Sequence, residues 1–304
     1  MAQKLRGKVA VVTGGGSGGI GRGVSLALAA EGASVVINDI ARDTNGKSIA
    51  DKVVEEIKEA GGTAVANYDS VATMQGGENI VKTAITNFNR VDILVNCAGN
   101  NLSAPINEIT EEQWDSVIDV HVKGHFACIR AVVPHMMQQK SGRIINFSSR
   151  AAFAGGAPLP GKNAPLPPPG TRGPAGGAVY STAKAAILGF TLSLSGGLKP
   201  YGITVNAIVP SADTKLFPGK TRPKDSMPSS LCLEPDHVAP IVAYLATDEA
   251  DGITGRFIYA SGGDLCIFAR PLQLPGDTHM FIRKIGKWTI DELSQVVPPL
   301  LGLS

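Results

Sequence analysis

The chain has 304 residues, 43% hydrophobic and 18% charged, with a net charge of +2. That apolar content is ample for a large core, and so small a charge excludes nucleic acid or a membrane surface as an electrostatic partner. No apolar run reaches membrane-spanning length, residues 1–7 carry no signal-peptide pattern, and Cys97, Cys128, Cys232 and Cys266 show neither metal-ligand nor disulfide spacing, so the expected location is the cytoplasm.

In chain order, the first apolar run, 9–12, reads as a strand. It leads into Thr13-Gly14-Gly15-Gly16-Ser17-Gly18-Gly19-Ile20-Gly21, which opens a helix over 22–30. Glycines in such a turn let backbone amides approach a pyrophosphate at the helix N-terminus. A second strand, 34–38, ends at Asp39, 18 residues beyond Gly21. That spacing suits a carboxylate bonded to the adenosine ribose hydroxyls; its charge repels a 2′-phosphate and favours NAD, while Arg42 keeps NADP open. Residues 48–60 form a helix with Ile49, Val53 and Ile57 on one face. Further strands are expected at 63–68, 91–95, 143–147, 203–209 and 256–260. Thr110 and Gln113 form a capping box that opens a long helix through Val122. Continuously apolar strands alternating with amphipathic helices predict a single-domain α/β Rossmann fold, a doubly wound parallel sheet of about seven strands with helices on both faces.

Two segments break this alternation. Residues 157–178 are rich in Pro and Gly without periodicity and read as a loop inserted into the 1–263 domain. Residues 264–304 extend past the last expected strand; within them Thr289 to Glu292 suggests a capping box.

The chemistry is expected at Tyr180 and Lys184, which share a helix face one turn apart. An ammonium about 4 Å from a phenol is worth roughly 4 kcal/mol at intermediate dielectric, enough to draw the phenol pKa from about 10 toward 7. Such a phenol can take a proton from an alcohol or return it to a carbonyl. His121 and His125, four apart, lack a third ligand for a metal, so no metal is expected.

These pieces together, with Asp69 after the third strand, Asn96-Cys97-Ala98-Gly99 and Ser148-Ser149 closing the fifth, resemble the short-chain dehydrogenase/reductase family over about 5–263. The stretches 36–39, 50–57, 62–71, 120–124 and 238–240 are most similar to its (3R)-hydroxyacyl-CoA dehydrogenase branch, which includes the dehydrogenase part of multifunctional enzyme type 2. The resemblance implies that Ser149 polarises the substrate oxygen, Tyr180 is the acid/base, and Lys184 holds the nicotinamide ribose and lowers the Tyr180 pKa. It implies a dinucleotide on Gly14, Ser17, Gly19, Ile20 and Gly21, lined by Asn96, Ala98 and Gly99. Asp69 and Ser70 would meet the adenine, and the segment from Pro210 to Thr214 the nicotinamide amide. It also implies a homo-oligomer, a tetramer before a dimer.

Four features depart from the family pattern. The glycine loop has one extra residue, leaving open whether Gly18 or Gly19 meets phosphate. His121 stands where many members place a catalytic Asn and is a candidate proton relay. Ser211 replaces a usual Gly. Ser149 and Tyr180 are 31 residues apart, so the proline-rich insertion leaves from and returns to the active-site rim. Arg150 is a candidate for a substrate carboxylate or thioester tail, and Lys215, Lys220 and Arg222, with Lys224, for the phosphates of coenzyme A. The expected activity is NAD-dependent interconversion of a secondary alcohol and a ketone, with a 3-hydroxyacyl-CoA thioester as substrate. The alternatives are a bulky free alicyclic, aromatic or steroid alcohol, or a catalytically silent cofactor-binding subunit.

Overall fold

In a computed structural model the described residues are 3–16, 18–102, 106–153, 177–214, 234–261 and 264–268. Seven strands, β1 (Val9–Thr13), β2 (Ser34–Asn38), β3 (Thr63–Asn67), β4 (Ile93–Asn96), β5 (Gly142–Phe147), β6 (Ile203–Pro210) and β7 (Phe257–Ser261), lie parallel in the order β3-β2-β1-β4-β5-β6-β7. The chain leaves β1 toward β2 on one side and later returns to β4 on its other side. This is the topological switch point, where strand ends open a crevice.

The apolar strands bury both faces because alternate side chains point opposite ways. Ala10 and Val12 of β1 join Val35, Ile37, Val95 and Ile145 in one core, under α1 (Ile20–Ala30), α2 (Ile49–Glu59) and α7 (Ala239–Ala246). Val9 and Val11 join Val36, Leu94 and Ile144 in the other, under α3 (Met74–Phe88), α5 (Gly124–Gln139) and α6 (Gly177–Leu198).

Two differences from the sequence expectation bear on the site. The sheet has an eighth strand, β8 (Asp264–Ile267), antiparallel to β7, so the dehydrogenase unit runs to Phe268 rather than stopping at 263. Its four residues are too short and too little patterned to stand out in sequence. Phe268, just after it, stacks on Phe153 at 4.7 Å. Residues 157–176 of the insertion and the 289–292 capping box lie outside the described residues.

The long helix expected from Thr110 forms, with one π-turn within it. The capping box forms, with Thr110 Oγ1 accepting from the Gln113 amide and Gln113 Oε1 accepting from the Thr110 amide, and starts α4 (Glu111–Ile118). A π-turn at Asp119–Lys123 then separates α4 from α5, closed by the Gly124 amide on the Asp119 carbonyl. Such turns recur at functional sites because one extra residue re-aims the side chains around it; here that residue set contains His121.

Helices α3 and α5 approach closely at Gly77, where a Cβ would come within 2.7 Å of the Ala127 backbone. Gly77→Ala is therefore expected to lower stability by about 1–3 kcal/mol, although alanine in an open helix gains up to about 1 kcal/mol. Denaturant unfolding checks this; a stabilised variant would show that the two helices are not in such close contact.

Candidate active site

The carboxyl ends of the central strands open into a cleft of about 930 Å³. Its first wall is the glycine loop. Gly14 adopts φ +65° and lies so close to Ala98 that a Cβ would stand 2.8 Å from the Ala98 Cα. Thr13 Oγ1 ties the same two segments together, accepting from the amides of Cys97 (3.1 Å) and Ala98 (3.2 Å). Gly19 is the N-cap of α1 without a side-chain cap, which leaves first-turn amides and the positive end of the helix dipole at the cleft. Gly19, Ile20 and Gly21 line it, whereas Gly18 turns its amide to the Gly16 carbonyl. Ser17 lies outside the described residues.

Asp39 follows β2 on the adjoining wall. Its Oδ2 accepts from the Gly16 amide (3.1 Å) and its Oδ1 from the Ala41 amide (2.9 Å), so the carboxylate is fixed beside the loop. Asp69 and Ser70 line the same end. The Asp69 carboxylate is held by Asn67 Nδ2 and Asn79 Nδ2, both at 2.8 Å, while Asn38 Nδ2 donates to the Asp69 carbonyl and to Asn67 Oδ1. A glycine cradle, an uncapped helix N-terminus and an anchored carboxylate fit the pyrophosphate and ribose of a dinucleotide.

The other end of the cleft is built on α6, β5 and the π-turn. Tyr180 and Lys184 are buried one turn apart on α6. Lys184 Nζ donates to the Phe147 carbonyl (2.7 Å), and Ser148 Oγ donates to the Lys184 carbonyl (2.7 Å), locking helix to strand. The Ser149 and Tyr180 hydroxyls hydrogen-bond each other. The Ser149 Oγ also accepts from the Ala151 amide (3.2 Å). His121 meets the Tyr180 ring edge-on, centroids 5.3 Å apart. Gly99 admits that imidazole: a Cβ there would come within 2.6 Å of His121 Cε1.

Electrostatics here follow burial first. Burial pushes the Tyr180 phenol above its ordinary value, with the Ser149 hydrogen bond pulling the other way. This corrects the sequence expectation of a phenol drawn toward 7 by Lys184. The ammonium lies 5.5 Å from the Tyr180 ring centroid and donates to the Phe147 carbonyl. Lys184 itself is pushed down to about 8 by burial. Burial, reinforced by the nearby Lys184 charge, holds His121 well below its ordinary value and His125 down to about 3. Both imidazoles are thus neutral at neutral pH. Desolvation raises the Cys97 thiol to about 12, marking it as a wall residue rather than a nucleophile.

The structure brings Ala98, Gly99, Pro210, Thr214, Ser211 and Arg150 to the cleft, Arg150 as an exposed residue at its rim. Asn96 is not there. Its Nδ2 donates to Asn146 Oδ1 (3.0 Å) on the neighbouring strand β5, where the two residues pair in register, and it is buried. Lys215, Lys220, Arg222 and Lys224 lie outside the described residues. Sequence reading gave no role to Asn38, Asn67 and Asn100. An asparagine ending an apolar strand, as Asn38 and Asn67 do, is the signal that was available.

A family model described as short chain dehydrogenase matches residues 8–161, and one described as Enoyl-(Acyl carrier protein) reductase matches 170–264. The chain is 37% identical over 263 residues to a 3-oxoacyl-[acyl-carrier-protein] reductase of Synechocystis, covering 85% of this chain and 97% of that protein. It is 38% identical over 270 residues to peroxisomal multifunctional enzyme type 2 of Mus musculus, covering 86% of this chain but 33% of that longer protein. The crystal structure of a short chain dehydrogenase from Mycobacterium avium superposes with a TM-score of 0.80 at 36% identity, covering 99% of this chain and 96% of that one. With matches over most of its length, on a doubly wound sheet whose glycine loop and Tyr180/Lys184 helix face one cleft, the chain belongs to the short-chain dehydrogenase family of oxidoreductases.

Proposed function

We propose that this protein is an NAD-dependent dehydrogenase that interconverts a 3-hydroxyacyl thioester of coenzyme A and its 3-oxoacyl counterpart. The observation that carries the redox chemistry is the convergence of Ser149, Tyr180 and Lys184 in the cleft that Asp39 and the glycine loop wall at its other end. NAD, when bound, supplies the hydride acceptor. Tyr180 takes the hydroxyl proton as the carbinol C–H bond breaks, and in reduction its protonated phenol returns that proton to the carbonyl oxygen. Ser149 donates a hydrogen bond to the same oxygen, where negative charge develops. Burial favours the phenol form, so oxidation depends on groups that stabilise the phenolate: the Ser149 hydroxyl and the Lys184 cation at the ring face.

NAD is favoured over NADP by the fixed Asp39 carboxylate, and Arg42 turns its guanidinium to the Gly46 carbonyl (3.0 Å). The thioester is favoured by similarity to a protein named for 3-oxoacyl reduction and to multifunctional peroxisomal enzymes. Arg150 at the rim, with Lys215, Lys220 and Arg222, is proposed to meet the coenzyme A end, and the active form is proposed to be a homotetramer.

Following NADH formation with matched 3-hydroxyacyl-CoA thioesters and free secondary alcohols tests this reading. Turnover of the thioesters is expected, with Tyr180→Phe losing about 10²–10⁴-fold in kcat while still binding NAD; preference for free alicyclic or aromatic alcohols would sink the thioester assignment. NAD should exceed NADP in kcat/KM, and Asp39→Ala should narrow that preference by at least about tenfold. An NADP preference in the wild-type protein would overturn the cofactor choice.

Lys184 gives a stability test in the absence of cofactor. Below pH 8 its ammonium is charged in both folded and unfolded states, and the burial cost is fully present. Between about 8 and 10.5 the folded protein has released the proton that the unfolded chain still holds, so stability rises with pH. Lys184→Met should therefore be more stable than wild type at pH 7 by up to about 3 kcal/mol, a gap that closes toward pH 10.5. Thermal unfolding across that range reads the difference, and a pH-independent gap would contradict the burial of a charged Lys184.

A further inference from the structure

One row of polar residues crosses the sheet at the carboxyl ends of its strands. Asn67, Asn38, Thr13, Asn96 and Asn146 are register neighbours on β3, β2, β1, β4 and β5, and all are buried. Register neighbours on parallel strands present their side chains to one face of the sheet. Each end of the row is bonded to a helix on that face. Asn67 Nδ2 donates to Thr83 Oγ1 on α3 (2.9 Å), and Asn146 Nδ2 donates to Thr191 Oγ1 on α6 (3.0 Å).

The half of the row nearest the chemistry is a chain of bonds with one possible direction. Thr191 Oγ1 donates to the Ile187 carbonyl (2.8 Å), so toward Asn146 it is an acceptor only. That fixes the Asn146 amide with Nδ2 toward the helix and Oδ1 toward β4, where it accepts from Asn96 Nδ2 (3.0 Å). Asn146 and Thr191 are fully buried and Asn96 is nearly so, and breaking either bond would strand a polar group away from water. A satisfied buried network holds a single arrangement, whereas apolar contacts tolerate sliding.

The ends of this chain carry the two halves of the reaction. Asn96 leads directly into Cys97, Ala98 and Gly99, the wall on which Gly14 and His121 pack. Thr191 lies two turns beyond Lys184 on the helix that presents Tyr180. The residues after Asn146 grip that helix as well, Phe147 through Lys184 Nζ and Ser148 through the Lys184 carbonyl. Those two grips join α6 to β5 alone; the Asn146 amide is what extends the connection to β4.

We propose that Asn146 and Thr191 are positioning residues that set the separation between the cofactor wall after β4 and the acid/base Tyr180 on α6. Neither side chain lines the cleft, so both act through the elements they join. Hydride transfer is sensitive to that separation, since a misplacement of about 1 Å costs up to about 100-fold in rate. Asn96 then serves the geometry of the cofactor without lining its site. The kinetic consequence rests on the dehydrogenase reading above; the geometric one does not.

Thr191→Val keeps the shape of the side chain and removes its oxygen, while Thr191→Ser keeps the oxygen. In crystal structures the Tyr180 hydroxyl should shift relative to Ala98 by roughly 1 Å in Thr191→Val and hold its place in Thr191→Ser. With substrate deuterated at the carbinol carbon, Thr191→Val should lose about tenfold in kcat and show a larger primary isotope effect, with the Kd for NAD unchanged. Thr191→Ser should match wild type in both. An unmoved Tyr180 overturns the proposal, as does an equal loss in Thr191→Ser. A lower melting temperature with kcat and isotope effect unchanged would mark a merely structural contact and overturn it too. Should Thr191→Val fail to fold, Asn96→Ser, which opens the chain at its other end, is read by the same displacement and isotope effect. If the wild-type protein turns over neither thioesters nor alcohols, the dehydrogenase reading falls, and the displacement of Tyr180 alone decides the role of Asn146 and Thr191.

Discussion

A lysine ammonium sealed into the interior is the constraint around which the site is arranged. Leaving water costs a cation far more than it costs a neutral group, and Lys184 meets that cost with a 2.7 Å bond to the Phe147 carbonyl at the end of β5. The next residue, Ser148, reaches back to the Lys184 carbonyl. Helix α6 and strand β5 are thereby pinned at the point where Ser149 and Tyr180 exchange their hydrogen bond. The same positive charge, added to burial, keeps His121 and His125 neutral. Neutral imidazoles next to a buried ammonium are compatible; charged ones would expel it.

The dinucleotide end follows a different rule, in which polar side chains at strand termini hold the backbone still. Thr13 bridges β1 to the segment after β4 through two amides. Asn38, Asn67 and Asn79 lock the turn at Asp69 in place. None of these three asparagines offers its amide group as the acid or base of a reaction. They remove conformational freedom from the wall on which Asp39 and the glycine loop present their groups, so that little ordering is left for ligand binding to accomplish.

Much of this was legible in the chain. The strand expected at 34–38 forms over those residues, and the helix expected at 48–60 forms as α2 within one residue at each end. Continuous apolar runs had no other good solution than strands covered on both faces. The Thr110–Gln113 box starts its helix because both halves of the motif are local. Where the expectation failed, the cause was distance in sequence. Asn96, expected at the cofactor, turns to Asn146, a residue 50 positions away.

The sequence by itself determined the order of strands and helices, the glycine turn, the acid that follows β2, and the Tyr180/Lys184 pair, because each is specified by residues within a few turns of one another. Only the tertiary structure decided how deeply those groups are buried and so which way their pKa values shift. A local estimate puts an ammonium beside a phenol and lowers its pKa. The folded chain instead buries both, places the ammonium over the ring, and lets desolvation dominate. Burial is a property of everything packed around a group, from β4, β5, α5 and α6 at once, and no window of sequence contains it.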